Sequence, residues 1–133
     1  NAILDSTIRV AKNTVTDGGG YEDIVRQVFL LSNTNVGLSN ENGVAEGSLW
    51  SYFNSASRRQ CYPTAEAVSK SEYTNGGFNV NSPWWWWLAD AYASGSYGVR
   101  CVDSSGAMGW SDACDGNGVR PLWWKPRLSR PKG

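Results

Sequence analysis

Trp84-Trp85-Trp86-Trp87-Leu88 places five large apolar residues in a row. A short apolar run this rich in aromatic residues suits a strand covered on both faces. The chain must therefore build layers on either side of it. Side chains along a strand alternate between faces, so the four Trp are expected to divide between the core and a second packed face. At most two of them are left to meet a ligand. Short β-like pieces follow, separated by Gly and Ser: Tyr97 to Val102, Ala107 to Trp110, and Gly118 to Trp124. Ser105-Gly106 is a hairpin-type dipeptide between two of these pieces. Asp115-Gly116-Asn117-Gly118 reads as a second tight turn. The C-terminal third is expected to be a small antiparallel meander.

The earlier part of the chain is mixed. An apolar-alternating stretch runs from Ile3 to Val15 and ends in Gly18-Gly19-Gly20. Within Tyr21 to Ser32, the residues Val25, Val28, Phe29, Leu30 and Leu31 form a nearly continuous apolar run, which predicts a central buried strand. Asn33 to Gly47 is rich in Asn, Gly and Ser and reads as a loop. Ser48 to Arg59 places Leu49, Trp50, Phe53 and Ala56 near one face of a short helix, although its capping candidates are weak. Ala65 to Ser71 adds a helical turn, and Asn75-Gly76-Gly77 is a turn signal. The fold class is α+β, with short helices packed on a small, mostly antiparallel sheet.

The 133 residues fit one domain, expected over 1–124, followed by an exposed basic tail over 125–133 carrying Lys125, Arg127, Arg130 and Lys132. A chain of this length buries roughly two thirds of its unfolded surface, enough for a core without staples. Lys and Arg total 12, and Asp and Glu total 12. The zero net charge argues against nucleic acid or an anionic membrane as partner, since both need a positive field. No run of about 18 apolar residues is present, so no helix that inserts directly into a membrane is expected.

His is absent altogether, which removes the Ser-His and Cys-His nucleophile designs. Three Cys (Cys61, Cys101 and Cys114) are not a closed disulfide framework, and no CxxC pair signals zinc. They read as free thiols, with a bridge between Cys101 and Cys114 left open. Neither a metal nor another cofactor is expected. Eight Trp exceed what a core of this size needs. A Trp-rich core and a binding surface with rigid aromatic faces both account for them.

Three blocks in order carry a resemblance: Val28-Phe29-Leu30-Leu31-Ser32, Trp86-Trp87-Leu88, and Gly118-Val119-Arg120-Pro121-Leu122-Trp123. Over roughly Ile24 to Trp124 the chain resembles the lectin-like domain of bacterial and phage surface proteins. It is also similar to the variable proteins of diversity-generating retroelements. The resemblance implies a C-type-lectin-like fold of the formylglycine-generating-enzyme-like branch, with ligand contacts on the late strands and loops. It implies a location on a cell surface or virion, and a protein or glycan on another cell or virion as partner. Two departures stand out. Ala89-Asp90-Ala91 replaces the family's Arg-Ser-Pro, and the usual N-terminal helix bearing Trp and Arg is not evident, so some N-terminal elements are expected to be missing.

Retroelement systems mutate adenines, and Asn codons of the AAC or AAT type are the usual targets. Such codons cannot yield Glu, Lys or Gln by adenine changes alone. Between Leu88 and Leu122 none of these three occurs, whereas Asp, Tyr, Ser, Gly, Ala and Cys abound. Met108 and Trp110 would be fixed or otherwise encoded. A Gly- and Ser-rich meander of ordinary bias gives the same pattern.

Strand alternation assigns Val99, Val102, Met108, Ala113 and Val119 to the core side. The remainder is a polar and aromatic set. It begins with Asp90, Tyr92, Ser94 and Tyr97, continues through Cys101, Asp103 and Ser105, and ends with Trp110, Ser111, Asp112 and Asp115. Tyr and Trp give contact area at low entropy cost, while Ser and Asp give adaptable hydrogen bonds. Solvated loop residues are the plain alternative. Gly118 to Pro121 read as structural, with Arg120 holding a carboxylate or carbonyl groups beneath the surface.

The leading expectation is a non-enzymatic domain that binds a protein or receptor through a surface over 88–117, with retroelement-generated variability. A fixed-specificity carbohydrate-binding lectin or adhesion domain is the alternative. Trp110-Ser111-Asp112 faintly echoes a calcium-lectin motif, with Asp103 and Asp115 nearby, but no partner motif supplies the other oxygen ligands. A copper oxidase of the formylglycine-generating type would need Cys101 and Cys114 as soft ligands, at a spacing that carries no signature. No carboxylate pair is placed for glycoside hydrolysis, and no catalytic residue is assigned.

Overall fold

A computed structural model describes residues 3–73 and 76–123. Trp124, the basic tail over 125–133 and Asn75 of the expected turn lie outside the described residues. The protein is a small α+β domain with two antiparallel sheets and a few short helices. Strands β1 (Ser6–Ala11) and β2 (Tyr21–Arg26) form a two-stranded hairpin, with Ser6 opposite Arg26 and Ala11 opposite Tyr21. Its loop runs through Gly18, Gly19 and Gly20, all at φ between 72° and 76°. Three consecutive left-handed residues are accessible to glycine and costly for other residues.

Strands β3 (Trp86–Ala91), β4 (Gly98–Val102) and β5 (Met108–Asp112) form an antiparallel meander in the order β3-β4-β5, whereas the described part of the expected piece Gly118 to Trp124 makes isolated bridges and adds no strand. Ser105-Gly106 does lie in the turn joining β4 to β5. Between the two sheets the chain makes 3-10 turns at Thr34–Val36 and Ser51–Phe53, and the short helices α1 (Ala56–Arg59) and α2 (Ala65–Lys70). Helix α2 starts where it does because the Thr64 side-chain oxygen accepts the Ala67 N–H, and Glu66 and Lys70 pair one turn apart.

The Trp block behaves as its composition demands. Trp86 and Leu88 are buried and join Leu31, Val36, Phe53 and Val102 in the core. The Trp86 indole N–H reaches the Arg59 carbonyl at 2.9 Å, so the ring is buried without stranding its donor. Trp85 covers the other face, where its ring occupies the space that a Cβ on Gly109 would fill. The last described segment closes the core, with Gly118 bridging Trp86 and Leu122 bridging Phe29.

Several expectations are corrected. Tyr21 to Ser32 is not a central strand. β2 ends at Arg26 in the outlying hairpin, and Val25 and Val28 are exposed. Only the end of the run enters the core, through Leu31 and the half-buried Phe29. Ser48 to Arg59 is not one helix, because Ser55 is extended and separates a 3-10 turn from a single α-turn. Phe53 is buried as expected, but Leu49 and Ala56 face solvent.

The late turn closes at Asp112–Asp115 rather than Asp115–Gly118, with the Asp115 N–H donating to the Asp112 carbonyl. Gly118 pairs with Trp86, which leaves Val119 pointing outward at 66 % exposure instead of into the core. Ala113 is likewise exposed. Arg120 is partly buried as expected but lies over the Phe53 and Trp86 rings, 4.9 and 5.2 Å from their centroids. Cation–π attraction takes the place of the expected polar partner.

Candidate functional site

Cross-strand partners share a face of the meander. Arg100 lies opposite Trp110, and Cys101 lies opposite both Trp87 and Gly109. One face therefore carries Arg100 and Trp110, and the other carries Cys101 beneath Trp85.

On the first face an ordered layer is built. The Tyr92 and Trp110 rings stack at 5.0 Å with 7° between planes. Arg100 lies 4.6 Å from the Tyr92 centroid and forms a two-point ion pair with Glu41. The Arg100 hydrogen bonds hold the Glu41 carboxyl below its ordinary range, and Glu41 in turn holds the guanidinium charged. Gly98 makes the layer possible, since a Cβ there would lie 2.8 Å from that of Tyr92.

Beside this layer opens a cleft of about 510 Å³. Its sheet wall is Tyr97, Gly98 and Asp112, with Cys114 at the turn, and its opposite wall is Asn13, Thr16 and Asp17 from the N-terminal hairpin loop. Asn13 ties the walls together. Its side-chain N–H donates to the Gly95 carbonyl at 2.9 Å, while its oxygen accepts the Val15 and Thr16 N–H groups. Tyr97 is 77 % exposed, the highest among the exposed large apolar and aromatic side chains described.

The structure divides the expected surface set by position along the β4–β5 hairpin. Tyr97 and Asp112 sit at its open end and line the cleft. The exposed Ser94 and Asp115 lie in the adjoining loop and turn. Tyr92 and half-exposed Trp110 form the stacked layer.

Asp103 and Ser105 lie at the closed end, roughly 15 Å away along five strand residues. Their side chains build the turn. The Asp103 carboxylate accepts from the Ser105 N–H and hydroxyl and from the Ala107 N–H. Burial opposes ionisation of Asp103, but hydrogen bonds from Ser105 and the neighbouring backbone outweigh it and hold the carboxyl below its ordinary range. That turn is docked on α1, where Arg59 donates to the Gly106 carbonyl at 2.7 Å.

Two residues leave the surface set. Asp90 and Cys101 are both 0 % exposed, because their strand positions point into packed layers. Ser111 is half-buried beside Cys101 on the second face. Burial pushes the Cys101 thiol up to about 11, which disfavours the thiolate that a metal or redox role needs. Cys61 and Cys114 are free as well, so no bridge joins Cys101 to Cys114.

Sequence reasoning missed Asn13, Thr16, Asp17, Glu41 and Arg100. No local pattern marks the hairpin loop as a cleft wall, since its partners lie some 80 residues later. The alternation of β4 does put Arg100 on the same face as Trp110, which was a usable signal.

The profile of a family described as "Domain of unknown function (DUF6273)" matches residues 1–126. No curated protein and no solved structure matches the chain.

Proposed function

The chain belongs to the DUF6273 family, and we propose that this member is a non-enzymatic ligand-binding domain. Its ligand is a protein or receptor on another cell or virion, held at the open end of the β4–β5 hairpin. The observation that carries this reading is Tyr97, an aromatic side chain left in water beside a largely apolar cleft that Asn13, Thr16, Asp17 and Asp112 edge with polar groups. Exposed Tyr next to small polar groups is the composition of an adaptable recognition surface. The Tyr92–Trp110 stack adds a rigid, half-exposed aromatic face supported from behind by the Arg100–Glu41 pair.

The C-type-lectin-like reading is consistent with a late meander packed by short helices, and with contacts gathered on late strands. In that reading the residues over 88–117 vary by retroelement mutagenesis. Deep sequencing of the corresponding gene segment across a natural population tests this. Substitutions that cluster at Tyr92, Tyr97, Asp112 and their neighbours and trace back to adenines in a nearby template copy support a diversified surface; a uniform segment removes the variability and leaves a fixed adhesion domain.

Binding itself is tested with a panel of surface proteins and glycans against the wild type and Tyr97→Ala. Loss of a bound partner in the variant, with unchanged thermal unfolding, supports the surface. A partner that binds both proteins equally places recognition elsewhere. Glycan binding abolished by chelator favours the lectin alternative.

A further inference from the structure

Two carboxyls from distant parts of the sequence meet in the interior. Asp90 of β3 is 0 % exposed and Glu46 of the 33–47 loop is 5 % exposed, and the two lie within hydrogen-bonding reach of each other. Each is pinned through one oxygen. The Asn33 backbone N–H donates to Asp90 Oδ2 at 2.7 Å, and the Thr34 hydroxyl donates to Glu46 Oε1 at 2.9 Å. The remaining oxygens, Asp90 Oδ1 and Glu46 Oε2, are buried and take no donor from elsewhere. A single proton held between the carboxyls gives both a partner and leaves one buried charge instead of two. Two carboxyls at one buried site keep a proton for that reason.

Among the described residues no cation pairs with either carboxyl. From the loop, Glu41 adds negative charge. From β4, Arg100 is committed to Glu41 through two hydrogen bonds. From the hairpin, Arg9 lines the cleft that reaches Glu46 but is bound to Asp23 at 2.8 and 2.9 Å. Loss of the shared proton therefore sets three carboxylates around one guanidinium. The stretch over 40–45 is the part that can yield. Its ends are anchored by groups that do not titrate, the Asn33 amide on the Ser39 carbonyl and the Ser32 hydroxyl on the Glu46 carbonyl. Between the anchors it holds the sheet through Glu41, on Arg100 and the Ala93 N–H, and through a 3.3 Å bond from the Asn42 amide to the Ala91 carbonyl. Val44 is its one buried apolar side chain.

We propose that Asp90 and Glu46 are a proton-operated clasp. While they share a proton, the 40–45 strap lies closed on β3; when the proton leaves, the strap opens and carries Glu41 away from Arg100. The clasp stands whether or not the ligand-binding reading holds, although Arg100 also supports the Tyr92–Trp110 layer. In the closed form, burial and then the Glu46 carboxyl push Asp90 up to about 8. A hydrated Asp in the open form releases its proton near pH 4, at about 3.9. Between these values opening releases one proton. The open population therefore grows up to about tenfold per pH unit as pH rises, and levels off once the closed form is itself deprotonated.

Carbon-13 NMR of the side-chain carboxyls and amide hydrogen exchange, both run from about pH 5 to about pH 9, test the clasp. The expected result is one proton retained by the Asp90–Glu46 pair at about pH 6. Protection of the Ala93 amide, corrected for the intrinsic exchange rate, falls up to about tenfold per pH unit toward pH 8. It stays below that of the Trp87 and Asp103 amides, which bond to backbone carbonyls. Asp90→Asn supplies a donor to Glu46 at every pH, so it keeps the strap closed and flattens the profile; Glu46→Gln is expected to do the same. Two ionised carboxyls at about pH 6 overturn the proposal. So does Ala93 protection that is constant with pH, or that equals the protection of Trp87 and Asp103 and so ties opening to unfolding of the whole domain. An unchanged pH profile in a folded variant overturns it as well. The wild-type series decides the question even where both variants fail to fold.

Discussion

At the scale of single residues, Gly106 and Asp90 carry the most testable chemistry. Gly106 has φ of +84°, and a Cβ built on it would sit 2.0 Å from the Ala56 carbonyl oxygen. Neither the backbone nor α1 can yield cheaply. Gly106→Ala is expected to cost about 3 kcal/mol in urea unfolding, from strain and from separation of the turn from α1. An Ala in place of Gly116, which has open space around it, should change stability by less than about 1 kcal/mol.

Asp90 predicts a pH dependence. Burial first, and then the neighbouring Glu46 carboxyl, push it from 3.8 up to about 8, with Glu41 adding repulsion. Between those values the folded state holds a proton that the unfolded state has released. The contribution of Asp90 to stability is thus full below about pH 4 and is lost as pH rises toward 8, with a slope of up to about 1.4 kcal/mol per pH unit. Urea unfolding at a series of pH values should show this fall, and Asp90→Asn should flatten it.

At the scale of elements, the sequence was most legible where composition left little choice. A Trp block followed by Gly-punctuated β pieces pointed to the meander, its Ser105-Gly106 turn and the division of the Trp side chains between two faces. The run over 21–32 misled because apolar content alone does not say how many strands will cover it. Paired only with β1 among the described residues, β2 has no second layer over Val25, and only Phe29 and Leu31 reach the core.

The surface set was half legible for a related reason. Alternation shows which way a side chain points, but not that Asp103 will close a turn or that a loop will bury Asp90. The hairpin loop was illegible, since its role rests on Asn13 meeting a loop some 80 residues away. Asn13→Ala removes that contact and the local turn together. It is expected to lower stability by about 1–2 kcal/mol, to speed amide exchange at Val15 and Thr16, and to weaken ligand binding by opening the cleft.

At the scale of the whole molecule, an early and a late segment of the chain are stitched together. Phe29 and Leu122 exchange backbone hydrogen bonds at 3.0 and 2.9 Å, and both side chains pack on the central cluster. Leu122→Ala is expected to cost about 2 kcal/mol, at the low end for a core leucine because the site is only partly buried. Hydrogen exchange should show the Phe29 and Leu122 amides losing protection together, which would mark them as one cooperative unit.

The β4–β5 hairpin is asymmetric in a way that bears on inheritance. At its closed end, side chains make the turn and grip α1, so a change of residue there is a change of structure. At its open end the strands are held by a backbone bond, from the Ala113 N–H to the Tyr97 carbonyl. Tyr97 and Asp112 can be exchanged for other residues with little effect on that pairing. On the ligand-binding reading proposed above, a lineage can explore new specificities at one end of the hairpin while the other preserves the scaffold, without the two demands competing for the same positions.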